Sequence, residues 1–103
     1  MGPQISFEQF LETTGSSQVP RGLGVPLRAL WYDARGDWAK AHELAQSAGS
    51  REGDWVHAYL HRKEGDKMNA GYWYARAGQP VATGDLAAEW QAIARALIGG
   101  LGK

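Results

Sequence analysis

Two histidines, His57 and His61, are the residues of this chain whose type and spacing come closest to a known chemistry. They stand four positions apart in a segment with helical periodicity, and side chains at positions i and i+4 share one face of a helix. Two imidazoles on one face are a common way of holding a divalent metal ion such as Zn²⁺. Glu64, and His42 or Asp33 from neighbouring helices, could complete such a ligand set.

The surrounding residues limit what this pair can do. Ala58 occupies the position where the HExxH motif of zinc proteases carries its glutamate, so that motif is excluded. The simplest use of the two imidazoles is hydrogen bonding at the protein surface, to Asp54 or Glu64. We therefore expect no bound metal and no cofactor, and we keep as an alternative a metal- or small-ligand-binding protein, with or without enzymatic activity, that uses His57 and His61.

Polar side chains also form a stripe along two predicted helices. Projection of each segment at about 100° per residue places the stripe opposite the apolar face. Its members are Arg28, Tyr32 and Arg35 on the first helix and His57, His61 and Glu64 on the second. One hypothesis is that these six residues line a binding groove for a peptide or a small acidic ligand. The alternative is that they are the solvated faces of two helices.

Composition excludes several classes of function. The 103 residues include 11 basic and 11 acidic side chains, so no basic field is available for nucleic acid. No apolar run reaches the roughly 20 residues that a membrane-spanning helix needs, and a cytoplasmic location is expected. Cysteine is absent, which excludes disulfides and thiolate zinc sites. The serines lie outside any nucleophile-elbow pattern and the glycines fit no phosphate-binding loop, so we expect that the protein is not an enzyme.

The helices that would position these residues come from an internal repeat. Residues 27–49 align without a gap with residues 56–78, so that equivalent positions are 29 apart. Each copy contains a Gly-Asp pair, Gly36-Asp37 and Gly65-Asp66, between two segments of helical periodicity. Glycine suits the left-handed residue that ends a helix, and aspartate suits the N-cap of the next. We therefore expect two tandem helical hairpins.

Further helices are predicted on either side of the repeat. Ser6 and Gln9 form a capping box for a helix over residues 7–13. A Gly/Pro/Ser-rich connector follows up to Pro26, and the predicted organisation is residues 1–26 as helix and connector and residues 27–103 as the repeat with a final helix. That helix begins after Asp85, ends near Gly99, and is expected to cap the stack. The predicted fold class is all-α, in a single domain.

Aromatic residues are numerous, with five tryptophans and four tyrosines. Most of them fall on predicted apolar faces and are interpreted as core. Met68 and Tyr72 are the exceptions, because they lie on the opposite side of their helix from Ala70 and Trp73. We expect them to pack within the chain against the final helix, and the alternative is a homodimer contact.

The segment AGYWYARAG, residues 70–78, together with Gly65-Asp66, resembles the second-helix pattern of Sel1-like repeats, which are relatives of the tetratricopeptide repeat. The resemblance covers residues 27–78 and implies a scaffold that holds a protein or peptide partner, with the first helices lining a concave face. The string WYDARGDWAKAHELAQ, continued by DWVHAYLHRKEGD, also resembles a group of small bacterial proteins with no assigned activity. A small helical-repeat interaction module is the function that these resemblances favour.

Overall fold

The computed structural model describes residues 5–101, so the predicted ranges 1–26 and 27–103 extend beyond it at both ends. Six α-helices make up its regular structure, and no β-strand occurs among the described residues. The predicted all-α class is confirmed. The helices are α1 (Phe7–Thr13), α2 (Val25–Ala34), α3 (Trp38–Ser47), α4 (Arg51–Glu64), α5 (Lys67–Ala77) and α6 (Leu86–Leu101).

Helix α1 begins with the predicted capping box. The Ser6 hydroxyl accepts a hydrogen bond from the Gln9 amide at 3.1 Å, and the Gln9 side chain accepts one from the Ser6 amide at 2.9 Å. These two bonds satisfy amides that a helix start leaves without a partner. Phe7 and Phe10 then point into the core, where Phe10 stacks on Trp90 of α6.

Both predicted Gly-Asp corners are confirmed. Gly36 and Gly65 have φ angles of 84° and 92°, the left-handed conformation that glycine adopts without a steric penalty. Asp37 caps α3 by accepting from the Lys40 amide, and Asp66 caps α5 by accepting from the Asn69 amide. The chain therefore passes from one helix to the next through three residues at the first corner and two at the second.

Helix α4 lies at the centre of the fold. It contacts α2, α3, α5 and α6, and α2 packs in addition against α3 and α6. The main core forms where α2, α4 and α6 meet, from Leu27, Leu30, Val56, Leu60 and Ile93. A smaller apolar cluster of Ala58, Ala70 and Tyr74 joins α4 to α5. No helix of the described residues is both long enough and apolar enough to cross a lipid bilayer.

Helix α6 lies across α2 and α4, and it reaches α5 through the hydrogen bond that the Tyr74 hydroxyl donates to the Glu89 carboxylate, not through the face that carries Met68 and Tyr72. The expectation that it covers Met68 and Tyr72 is therefore wrong, and their side chains are 89% and 55% exposed. The reason is the distribution of apolar surface. Trp90, together with Ile93 and Leu97, buries itself against the larger apolar faces of α2 and α4, and the Trp90 indole donates to the Leu30 carbonyl at 3.0 Å.

Candidate functional site

Three histidines come together between α3 and α4. His57 and His61 share one face of α4, as their spacing predicts, and His42 joins them because α3 packs against that face. The ligand nitrogens of the three rings all lie within 4.8 Å of one another. His57 and His61 are only 3% and 8% exposed, whereas His42 is half-buried. These are the only three histidines of the chain, so every imidazole in the protein belongs to this cluster.

The hydrogen bonds of the cluster indicate how its protons are arranged. The Nε2 atoms of His42 and His57 are 3.0 Å apart, so one ring donates and the other accepts. The His57 Nδ1 atom is buried and has no hydrogen-bond partner among residues 5–101. A proton there would leave a buried donor unsatisfied, which costs more than an unsatisfied acceptor in this position. We therefore assign the proton to Nε2 of His57, which donates to His42.

His61 is oriented from the outside of the cluster. Its Nδ1 atom lies 2.7 Å from a carboxylate oxygen of Glu64, one helical turn further along α4. The expectation that the two imidazoles lie at the surface is wrong, because α3 and α5 pack over them. Of the two expected acceptors, His61 uses Glu64, and Asp54 instead lies 3.7 Å from the Arg76 side chain. With Nδ1 donating to the carboxylate, Nε2 is the nitrogen of His61 that remains available to a ligand.

Two tryptophans enclose the cluster. Trp38 stacks on His42 with ring centroids 4.9 Å apart, and Trp73 of α5 stacks on His57 at 4.1 Å. The Trp38 indole also donates to the Leu60 carbonyl at 3.0 Å, which holds the start of α3 on α4. Both tryptophans fall on helix faces that are predicted to be apolar and part of the core. Trp38 carries one signal of its role, since it stands four residues before His42 on the same helix face.

Two imidazoles of the cluster, those of His42 and His57, have lowered pKa values. Burial, followed by the neighbouring His42 and His61, lowers the pKa of His57 from its usual 6.5 to about 4. Burial, followed by His61, also lowers the pKa of His42, while Glu64 acts in the opposite direction. A neutral imidazole has a free electron pair for a metal ion, whereas a protonated one does not. Both rings are therefore in the form that binds metal at neutral pH.

The spacing of the rings suits coordination. Two imidazole nitrogens bound to one tetrahedral zinc ion lie about 3.3 Å apart, given Zn–N bonds of about 2.0–2.1 Å. The 3.0 Å between His42 and His57 is close to that value. For an ion to bind both rings, the pair would have to widen slightly and its shared proton would have to leave.

Asp33, one of the candidate ligands, lies elsewhere. Its buried carboxylate accepts hydrogen bonds from the Tyr59 hydroxyl at 2.7 Å and from the Lys63 ammonium at 2.8 Å. Both partners extend from α4 on its α2 side. Asp33 therefore joins α2 to α4, and His42 supplies the third side chain of the cluster.

The six residues of the predicted polar stripe divide into two groups. His57, His61 and Glu64 belong to the histidine cluster. Arg35 donates to the Thr14 carbonyl just after α1 and lies over the Trp31 ring, and Tyr32 packs edge-on against the same ring. Arg28 is half-buried, and its Nε atom has no hydrogen-bond partner. Among residues 5–101, no hydrogen bond joins these three side chains to the cluster.

Comparison of the chain with protein-family models, with curated proteins and with solved structures returns no match. The resemblance to Sel1-like repeats therefore stays a prediction. The function of the protein has to be inferred from the histidine cluster itself.

Proposed function

We propose that this protein binds one divalent transition-metal ion, such as Zn²⁺, through His42, His57 and His61. The observation that carries the proposal is the convergence of three ligand nitrogens within 4.8 Å in a largely buried setting. Imidazole ligands favour zinc, copper, nickel and iron over magnesium and calcium, which prefer oxygen. The Glu64 carboxylate behind His61 is the kind of outer partner that orients a metal-binding imidazole.

The protons of the cluster set a limit on affinity. For all three Nε2 atoms to bind an ion, the His57 proton has to move to Nδ1, which is buried and has no partner. This rearrangement costs free energy. A site in which every imidazole already has a free electron pair directed at the ion avoids that cost. We therefore expect weaker zinc binding than in dedicated structural zinc sites.

Binding, and not catalysis, is the role that the surroundings favour. Two of the ligands are almost fully buried, and stacked indole rings cover two of the imidazoles. A catalytic zinc site keeps an open coordination position that a substrate can reach. Because the cluster is enclosed in this way, binding fits it better than catalysis.

Calorimetric titration of untagged protein with Zn²⁺ tests the proposal. We expect one ion per chain, and we expect Co²⁺ to give the intense visible absorption of a tetrahedral site. The variant His57→Ala should lose stoichiometric binding. Binding of less than one ion per chain at saturating zinc would rule the proposal out. Binding through imidazole can occur only at this cluster, because it contains all three histidines of the chain.

A second candidate function is a protein-interaction module of the Sel1-like or tetratricopeptide type. In this proposal, α2–α3 and α4–α5 are two hairpins of one repeat, supported by the matching Gly-Asp corners. The specific observation in its favour is α5, which packs mainly on α4 and exposes Met68 and Tyr72. These two residues are the proposed contact with a partner or with a second copy of the chain.

Sedimentation of the wild-type protein and of the variant Met68→Ser, Tyr72→Ser over a range of concentrations tests this second candidate. We expect self-association of the wild type alone, with equal melting temperatures for both proteins because the two side chains are exposed. A wild-type protein that sediments as a monomer at every concentration would contradict the homodimer.

A further inference from the structure

Helix α3 fully buries less apolar surface than its neighbour α2. It has ten residues and packs on α2 and α4; its fully buried side chains are those of Ala41 and Ala45, and Trp38 and Leu44 are partly buried against the core. Helix α2, of the same length, fully buries Leu27, Leu30 and Trp31. Because hydrophobic stabilisation scales with the apolar area removed from water, burial holds α3 less firmly than α2. A helix this short is also not stable in isolation.

The contact of α3 with α4 has three parts. At its start, the Trp38 indole donates to the Leu60 carbonyl. At its end, Ala45 and Ala48 lie so close to Gly53 that a Cβ atom on Gly53 would come within 2.5 Å of the Ala48 Cβ. The middle of the contact is the hydrogen bond between His42 and His57.

The three ligands are divided unequally between the two helices. His57 and His61 both belong to α4, and His42 is the single ligand on α3. Coordination by His57 and His61 alone leaves α3 free to detach from α4. Coordination by His42 opposes detachment, because α3 could then leave only by breaking a metal–nitrogen bond.

We propose that the metal ion acts as a clamp that holds α3 on α4. This inference rests on the metal binding proposed above and assigns it a structural role. The closed arrangement offers the ion three imidazoles, whereas the detached one offers only His57 and His61 and so binds more weakly. The ion therefore lowers the population of the detached form, by at most the factor 1 + [L]/Kd. At a free zinc concentration of 100 times Kd, local opening of α3 should become rarer by up to about 100-fold.

Hydrogen exchange of the untagged protein, with and without saturating Zn²⁺, measures this opening directly. We expect zinc to slow exchange of the amides of residues 41–47 by up to about 100-fold. The amides of α5 serve as the internal reference, since α5 is another outer helix but carries no ligand. Their exchange should slow much less than that of α3.

Two variants separate the clamp from binding in general. His61→Ala keeps one ligand on each helix, whereas His42→Ala keeps two ligands on α4 and none on α3. At zinc concentrations that saturate each variant, we expect zinc to protect α3 in His61→Ala and not in His42→Ala. Circular dichroism of the metal-free variants checks that both are folded.

The outcomes distinguish the two proposals. Stoichiometric zinc binding with equal protection of α3 and α5 would overturn the clamp and leave metal binding standing. Zinc-dependent protection of α3 in His42→Ala would overturn the clamp as well. A wild-type protein that binds no zinc in the calorimeter would contradict both metal binding and the clamp.

Discussion

A single hydrogen bond decides which nitrogen of His61 faces the cluster. Its Nδ1 atom donates to Glu64, whose side chain is 39% exposed, and this selects the tautomer with a free electron pair on Nε2. Glu64 is thus a positioning residue for the proposed metal site. It acts on the ion through His61 and is not itself one of the three ligands.

Replacement of Glu64 tests this role. We expect Glu64→Ala to lower zinc affinity by about 10–100-fold, the usual cost of losing an outer partner of a metal-binding imidazole. Glu64→Gln should restore part of the loss, because the amide oxygen still accepts from Nδ1. Zinc affinity is measured by competition with a chelating indicator.

The control for this experiment is Glu43→Ala, which removes an exposed carboxylate of α3 that pairs with Lys40. Its zinc affinity should equal that of the wild type. If Glu64→Ala also binds zinc as the wild type does, the positioning role is wrong.

The lowered pKa of His57 makes the metal-free protein sensitive to acid. In the unfolded chain His57 takes up a proton near pH 6.5, whereas in the folded protein it does so only near pH 4. Between these values the unfolded state binds more protons, so the stability of the fold falls as the pH falls. The lowered pKa of His42 acts in the same direction. Below about pH 4, His57 causes no further loss of folding stability, because it is then protonated in both states.

Urea unfolding of the metal-free protein at pH 7.5, 6 and 5 measures this dependence. We expect the free energy of unfolding to decrease at each step. The variant His57→Gln, which cannot be protonated, should show a smaller decrease over the same range. Equal pH dependence of variant and wild type would show that His57 is not the sensitive group.

At the scale of the helices, two glycines within helices have opposite surroundings. A Cβ atom on Gly53 of α4 would lie 2.5 Å from the Ala48 Cβ and 3.1 Å from the Ala45 carbonyl oxygen. A Cβ atom on Gly71 of α5 would meet no heavy atom within 4 Å. Gly53 is thus required for the approach of α3 to α4, whereas α5 does not need Gly71.

The same substitution should therefore have opposite effects at the two positions. Gly53→Ala is expected to destabilise the fold by about 1–3 kcal/mol, since the end of α3 must move away. Gly71→Ala is expected to stabilise it by about 0.5–1 kcal/mol, because alanine favours the helix. Urea unfolding measures both values. A loss of stability in Gly71→Ala, or none in Gly53→Ala, would contradict the packing described here.

At the scale of the whole molecule, α6 joins parts of the fold that are distant in sequence. Glu89 is buried, and its carboxylate accepts hydrogen bonds from the Arg62 guanidinium of α4 and from the Tyr74 hydroxyl of α5. Burial and this carboxylate raise the pKa of Tyr74 above its usual value, so the hydroxyl keeps its proton and donates it. A single carboxylate of α6 thus satisfies groups on two other helices.

Glu89→Ala should be among the most damaging substitutions in the chain. It leaves the partly buried Arg62 cation and the buried Tyr74 hydroxyl without their acceptor, and removal of one partner of a buried ion pair costs about 3–5 kcal/mol. Glu12→Ala, at an exposed position of α1, is the matched control and should change stability by less than about 0.5 kcal/mol. Urea midpoints compare the two. Similar midpoints would mean that the Glu89 contacts contribute little.

The amino-acid sequence by itself determined the local features of this protein. The capping box at Ser6, the left-handed glycines Gly36 and Gly65, and the common face of His57 and His61 were all predicted and are all present. Each depends on residues at most four positions apart, whose geometry within a helix or at its end is nearly constant. The all-α class follows from the same local signals.

Only the tertiary structure decided which helix faces meet. His42 completes the cluster while Asp33 pairs with Lys63, and α6 covers α2 and α4 instead of Met68. The physical reason is competition, since each apolar face can be buried by several others and the best total packing selects one arrangement. The two-histidine spacing is a property of α4 alone. The three-histidine site exists because α3 packs against α4.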